Sequence, residues 1–284
     1  MSIDPASTLG AVRLVAGDID LLQDYYERAI GLRTLEREHG LVRLGARDGA
    51  PLVELIGDPA APVRPPRTTG LFHLALLVPS RAELARAIRR VVDAGRRFHG
   101  ASDHLVSEAM YLSDPEGNGI ELYRDRPRSE WSYEGESIAM ATIALDLDAV
   151  MAELPDGADH GMAPETILGH VHLNVADIPA AEAFYRGVLG FDVTVRGYPG
   201  ALFLSDGGYH HHLGLNTWNG AGAPAPPAGA RGLESFEVVL PGAAALDEVR
   251  GRIDAAGLAS EPRDGGLAVA DPSGNRVVLR TAKG

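Results

Sequence analysis

Residues 168–190, LGHVHLNVADIPAAEAFYRGVLG, repeat without a gap the pattern of residues 9–31, LGAVRLVAGDIDLLQDYYERAIG. In each copy a short alternating strand leads to an aspartate (Asp177, Asp18) placed to start a helix. The helix carries an aromatic pair (Phe184-Tyr185, Tyr25-Tyr26) and closes on a glycine (Gly190, Gly31). A second pair of stretches follows the same grammar. Residues 70–95, GLFHLALLVPSRAELARAIRRVVDAG, match 232–257, GLESFEVVLPGAAALDEVRGRIDAAG, each a strand feeding a helix that stops at glycine. Ser80 and Glu83 are spaced as a capping box. A third match sets Asp114-Pro115-Glu116-Gly117-Asn118 beside Asp271-Pro272-Ser273-Gly274-Asn275, both dense in turn formers and both followed by a short apolar strand. Three matches in one order at a nearly constant offset mark an internal duplication. Each half contains two strand-plus-helix starts followed by strands, which predicts four modules at about 9–58, 70–123, 168–218 and 232–281.

The composition bounds the function. With 284 residues, 45% of them apolar, the chain has room for two ordinary domains. A formal charge of −13 argues against nucleic acid as a partner, because phosphate binding needs a basic stripe. There is no cysteine, so disulfides, thiolate metal sites and cysteine nucleophiles are excluded together. No apolar run approaches 18 residues and MSIDPAST has no basic segment followed by an apolar one, so no membrane association is expected and a cytoplasmic protein is the default. A homo-oligomer is left open. The predicted division is a first domain at 7–125, a connecting segment at 126–166 and a second domain at 167–282. The connection holds RPRSEW, an apolar stretch with a short helix, and a polar PDGADHG tail; Pro224-Ala225-Pro226-Pro227 reads as a surface loop.

Within GASDHLVSEAMYLSDPEGNGIELY, residues 100–123, the turn formers reverse the chain between two strands. Alternation then puts Ile120 and Leu122 on one face and Glu121 with Tyr123 on the other. A carboxylate on a rigid strand is either solvated or a ligand. By the same alternation His170 and His172 share a face of their strand, whereas a lone His73 in LFHLALLV is by itself most often a satisfied core histidine.

The motifs GHVHLNVAD, FYRGVLGF, GLFHLALLV and DPEGNGIELY resemble the vicinal oxygen chelate superfamily, which includes glyoxalases, bleomycin-resistance proteins and extradiol dioxygenases. The four-module length, with FHLALLV followed by HLVSEAMYLSDPEGNGIELYRDRPRSEW, is similar to the two-domain catechol 2,3-dioxygenases in particular. The resemblance implies an α+β fold: four βαβββ modules in two tandem glyoxalase-like domains, paired into cupped mixed sheets around a metal. Family members can take a ligand from the first and the last strand of a module. Here the first strands offer Ala11, His73, His170 and Ser235, and the last strands Glu54, Glu121, Gly214 and Val278. The resemblance therefore implies His73, Glu121 and His170 as metal ligands, with modules two and three pairing to form the metal cup. His170 is favoured over His172 by its match to the family position, and Glu54, with no histidine partner in view, is read as structural or solvent-facing.

Two histidines and one carboxylate form the set used by non-haem Fe(II) oxygenases, with Mn(II) favouring similar ligands. The implied activity is extradiol cleavage of a small aromatic diol with O₂ as co-substrate. The family's acid–base histidine corresponds to His211 in GGYHHHLGLN, although simple strand alternation would turn His210 and His212 inward instead, and the choice stays open. Tyr111 and His104 match the family's tyrosine and histidine beside substrate and O₂. Two other classes share this scaffold: a glyoxalase-like metal-dependent lyase or isomerase, and a metal-free small-molecule binding protein.

Overall fold

The computed structural model describes residues 2–47, 49–135, 137–157, 161–263 and 265–282. Residues 158–160 of the PDGADHG tail lie outside the described residues. Module one runs through β1 (Thr8–Ala16), α1 (Ile19–Tyr25), β2 (Arg33–Glu38), β3 (Leu41–Gly45) and β4 (Val53–Gly57). Module two follows with β5 (Gly70–Leu77), α2 (Arg81–Asp93), β6 (Gly100–Asp103), β7 (Ser107–Ser113) and β8 (Gly119–Asp125). The connection contributes a two-residue pairing of β9 (Tyr133–Glu134) with β10 (Ser137–Ile138) and the short helix α3 (Leu147–Met151). Module three comprises β11 (Ile167–Asn174), α4 (Ile178–Glu182), β12 (Asp192–Val195), β13 (Ala201–Ser205) and β14 (Leu213–Asn216). Module four closes with β15 (Gly232–Leu240), α5 (Ala243–Ala255), β16 (Ser260–Arg263), β17 (Gly266–Ala270) and β18 (Arg276–Thr281).

All four modules are thus βαβββ, and the class is α+β. Two eight-stranded mixed sheets result, ordered β16-β17-β18-β15-β1-β4-β3-β2 and β12-β13-β14-β11-β5-β8-β7-β6. The first and last strands of modules two, three and four run parallel. A parallel pair cannot be closed by a hairpin, so the helix after each first strand serves as the crossover. By contact density the chain falls into two units, Arg13–Ala61 with His73–Gly169, and Met1–Val12 with Pro62–Phe72 and His170–Gly284. The divisions cut β1, β5 and β11 within the strand. No described helix is long and apolar enough to cross a membrane.

Local chemistry explains the repeated motifs. Asp18 and Asp177 cap their helices, accepting from the backbone N–H of Leu21 at 2.9 Å and of Ala180 at 2.8 Å. Ser80 accepts from Glu83 N at 3.2 Å. Such a cap is worth about 1 kcal/mol. Both first helices widen into a π-helical turn, Tyr26–Ile30 and Ala183–Leu189, before ending at Gly31 and Gly190 in the left-handed region. Periodicity alone predicts plain helices there. A wider turn sets successive side chains at a smaller angle, so both rings of each aromatic pair can face the core.

The second ring of each pair then explains the Asp-Pro-x-Gly-Asn repeat. Asp114 accepts from Glu116 N (2.9 Å), Asn118 N (2.9 Å), the Asn118 amide (2.8 Å) and the Tyr26 hydroxyl (3.3 Å). Asp271 accepts from Ser273 N (2.8 Å), Asn275 N (2.8 Å), the Asn275 amide (2.9 Å) and the Tyr185 hydroxyl (3.0 Å). Burial raises the pKa of both carboxyls and drives both phenols well above the ordinary tyrosine value. The middle residue completes the lock: Glu116 accepts from Gly17 N and Asp18 N, and Ser273 from Ala176 N. Each half is therefore closed by one turn gripping the helix of its neighbouring module. Arg90 and Arg252 occupy equivalent places on α2 and α5, donating to the Ile30 carbonyl and to those of Val188 and Leu189 at the widened turns.

Candidate active site

The turn after Asp114 sets the register that builds the first part of the site. In the antiparallel β7/β8 pair Tyr111 lies directly opposite Glu121, and in the parallel β5/β8 pair His73 lies opposite Gly119. Glu121 is 2% exposed and His73 5%, and His73 Nε2 stands 2.9 Å from Glu121 Oε2. The Tyr111 ring tilts against His73 at 5.7 Å and rests on an apolar floor of Ala75, Ala109 and Tyr123. Its hydroxyl reaches His104 Nε2 at 2.6 Å, while His104 Nδ1 lies 2.7 Å from the Ala141 carbonyl. A carbonyl can only accept, so Nδ1 carries a proton. In the neutral imidazole Nε2 is then the acceptor and Tyr111 the donor. The carbonyl comes from the connection, pinned beside β6 by paired backbone bonds between Asp103 and Ile143.

Glu54 is 5% exposed and held by Arg13 at 2.6 Å and Arg43 at 2.9 Å. It is a structural ion-pair partner rather than a solvent-facing group.

On β11, His170 and His172 are both buried. The His211 ring lies 4.2 Å from that of His170, and His210 lies farther, at 6.3 Å. His210 and His211 face each other, Nδ1 to Nδ1, at 2.8 Å. His212 turns instead to Ser205 Oγ at 2.9 Å and Asp206 at 3.5 Å. Burial, followed by the charges of Asp4 and Asp192, pushes the Asp206 carboxyl up to about 7. The three histidines precede β14 rather than forming part of it. Strand alternation therefore does not govern them: Gly207 and Gly208, both at positive φ, start a turn whose geometry sends successive rings in different directions.

Gly214, the place where the fold could supply a fourth ligand, is closed. It pairs with His172 on one side and Phe203 on the other, and a Cβ built on it would meet the His172 ring at 2.8 to 3.0 Å. A side chain there would have to displace the imidazole.

Among the described residues, one set of three is arranged to hold a metal ion: His73, Glu121 and His170, all buried, with ligand atoms within 4.8 Å of one another. Two imidazoles and one carboxylate suit a divalent first-row metal and leave coordination positions for exogenous ligands. Sequence reasoning did not single out the Ala141 carbonyl, which has no side-chain signal, or the rings of Phe72, Phe203 and Trp218 around His172.

A sequence model of the Glyoxalase/Bleomycin resistance protein/Dioxygenase superfamily matches residues 8–122 and 167–279. A Bacillus subtilis protein named catechol-2,3-dioxygenase is 42% identical over 275 residues, 95% of this chain and 96% of its own. A Rhodococcus globerulus protein named biphenyl-2,3-diol 1,2-dioxygenase 3 is 26% identical over 136 residues, 46% of this chain and 72% of its own. In fold, glyoxalase I from Zea mays superposes with a TM-score of 0.58 at 17% identity, covering 96% of this chain and 92% of that one. The chain belongs to the glyoxalase/bleomycin resistance protein/dioxygenase superfamily, on its extradiol dioxygenase branch.

Proposed function

We propose that this protein cleaves the ring of a catecholic substrate beside its two hydroxyls, using Fe(II) held by His73, Glu121 and His170. Mn(II) is the alternative ion. The observation that carries this reading is the buried two-histidine, one-carboxylate set with Tyr111 against one of its histidines and His211 against the other. Bound there, the ion would supply adjacent open positions for a bidentate diolate and for O₂. The chain's own groups handle orientation and protons. Tyr111, donating to His104, is placed to accept from a substrate hydroxyl, and the Ala141 carbonyl fixes the His104 tautomer that this donation requires. His211, with His210 on its Nδ1, is the group we assign to proton transfer during ring opening. His210, His212 and His172 act behind these, through the contacts described. The name of the 42% identical relative supports a catechol as substrate and O₂ as co-substrate.

The glyoxalase-like reading needs a further carboxylate ligand, and the closed position at Gly214 speaks against it. We also propose the domain division 7–125, 126–166 and 167–282, supported by family matches on either side of the connection, and a cytoplasmic location for the reaction. The test is anaerobic loading with Fe(II), then addition of catechol while O₂ and the yellow ring-fission product are followed. Stoichiometric uptake with colour, absent in His73→Ala, is expected. Bound iron without uptake would overturn the substrate assignment, and a protein that binds no metal would overturn the ligand set.

A further inference from the structure

We propose that an arginine-lined cavity between α1 and α2 binds a small molecule carrying two or more adjacent anionic groups, as a diphosphate or a tricarboxylate does. The site is independent of the catechol reading, because no residue assigned to the metal set or to proton transfer lines it.

The cavity, of about 810 Å³, lies between α1 with its widened turn, α2, and the stretch 154–157 that follows α3. That volume suits a ligand of metabolite size. Five arginines line it, Arg28, Arg86, Arg89, Arg90 and Arg96, against three aspartates, in a chain whose net charge is −13. Two of the aspartates are already matched. Asp24 pairs with Arg28 at 2.6 Å and Asp93 with Arg89 at 2.8 Å, both exposed pairs one helical turn apart, of a kind that contributes at most about 1 kcal/mol. The third, Asp156, is exposed on the stretch after α3. Arg90 is 7% exposed and gives Nη1 and Nη2 to the carbonyls of Ile30 and Gly161, at 2.9 and 2.8 Å. Arg96 sits over the Tyr25 ring at 5.2 Å, and among the described residues no carboxylate pairs with it. Arg86 Nε is buried without a hydrogen-bond partner among the described residues. Its ion pair with Glu83, at 3.3 Å, is longer than a charge-assisted bond of about 2.7–2.9 Å. Guanidinium forks hold phosphate and carboxylate oxygens two at a time. Cations reach this cavity from both α2 and the widened turn, so a ligand that satisfies them needs charge at more than one point.

The duplication shows that these arginines are not a requirement of the fold. In the gapless alignments of the repeats Arg28 falls on Gly187, Arg86 on Glu248 and Arg89 on Gly251, and the same register one residue further sets Arg96 on Leu258. Arg90 alone has an arginine counterpart, Arg252, and both serve the carbonyls of a widened turn. Module two thus carries, with the widened turn of module one, four cations that the copy folds without. The connection completes the difference. Arg81 Nη1 holds Glu153 at 2.9 Å, and Met162 N donates to the Gly31 carbonyl at 2.8 Å, which ties the connection to the start of α2 and to the end of the widened turn. Between these two ties, Leu154 and Pro155 join Ala29 and Ala94 as apolar lining for the uncharged body of a ligand.

The test is calorimetric titration of the full chain with inorganic pyrophosphate in about 0.15 M salt, with the protein free of metal so that pyrophosphate has no ion to chelate. One binding event with a dissociation constant of about 1 mM or lower is expected. Arg86→Gln and, separately, Arg96→Leu should each weaken it about tenfold, the loss of one charge-assisted hydrogen bond. Arg250→Gln, on α5 of the other half, should leave it unchanged. Arg96→Lys keeps the charge and should recover part of the loss, and unchanged melting temperatures of the unliganded variants separate lost binding from lost folding. No heat at about 10 mM pyrophosphate, or a constant unchanged by both substitutions, would overturn the proposal. Equal affinity for orthophosphate, which carries a single anionic group, would also overturn it. A parallel titration with citrate separates the two ligand chemistries: tighter pyrophosphate assigns phosphate esters, tighter citrate assigns polycarboxylates, and either order supports the site. None of these readings uses turnover, so the site can fail while the ring-cleavage reading stands, and the reverse.

Discussion

Gly214→Ala isolates the packing that closes the fourth ligand position. The added methyl would sit 2.8 Å from His172 Cγ, 2.9 Å from Cδ2 and 3.0 Å from Nδ1. Real carbon atoms do not approach so closely, and the ring has little room to retreat, because Phe203 and Trp218 stand 5.7 and 5.2 Å from it, centroid to centroid. Overpacking of this kind costs about 1–3 kcal/mol. Alanine recovers roughly 0.5–1 kcal/mol over glycine within regular secondary structure. The net expectation is about 1–2 kcal/mol of destabilisation, a fall in Tm of roughly 2–6 °C for a chain of this size. Urea unfolding with a double-mutant cycle tests the cause. In a His172→Ala background the methyl has space, so Gly214→Ala should be neutral or stabilising there, and the interaction energy should be about 1.5–3 kcal/mol. The same cost in both backgrounds would refute the argument that the imidazole fills this position.

Four further outcomes follow from the geometry. Separate His73→Ala and Glu121→Ala variants should each fail to retain iron after desalting, as measured by metal analysis, and full retention by either would remove that residue from the ligand set. Tyr111→Phe deletes the 2.6 Å bond to His104, and kcat should drop about two- to tenfold, the worth of one neutral hydrogen bond; wild-type turnover would leave Tyr111 as a packing residue. Asp114→Ala and Asp271→Ala each remove an acceptor of four hydrogen bonds and should cost about 3 kcal/mol or more in urea, with losses under 1 kcal/mol contradicting the turn-lock argument. Asp206 keeps its proton up to about pH 7 in the folded protein, against roughly 4 when unfolded, so the native state binds more protons between these values. Stability should therefore fall as pH rises from about 4 to about 7 and level off above, and Asp206→Asn should flatten that slope, on the order of a few kcal/mol; an identical slope in the variant would refute the shift.

The duplication made most of the fold legible. Strand alternation, the capping aspartates and the Asp-Pro-x-Gly-Asn turns are local signals, and each recurs in two copies that check one another. The ligand candidates were legible for a similar reason. At the first- and last-strand positions Ala11 and Val278 carry no ligand atom and Ser235 only a hydroxyl, a weak ligand for a first-row metal beside imidazole and carboxylate, so the differences between repeats point to modules two and three. The sheet that contains β5, β8 and β11 joins those two modules. The widened turns after α1 and α4 escaped because a π-helical turn leaves the apolar spacing of a helix nearly intact over five to seven residues. Its trace lay in the adjacent aromatic pairs, each of which sends one hydroxyl to a buried aspartate.

The histidine tract shows where reading by period ends. His210, His211 and His212 look like strand residues because Leu213 to Asn216 follow, yet two glycines at positive φ place them in a turn, where each ring meets different neighbours. Chemistry then separates them: His212 meets Ser205 and Asp206, His210 backs His211, and the His211 ring lies tilted against His170. The His104 tautomer was still less accessible, because it depends on a backbone carbonyl 37 residues away, brought beside β6 by a segment whose sequence reads as mere connection. Alternation can say which face a residue shares, but proton positions are set by which acceptor arrives from elsewhere in the chain. For that reason a change in the connection that withdraws the Ala141 carbonyl should affect the Tyr111–His104 pair although it touches neither side chain.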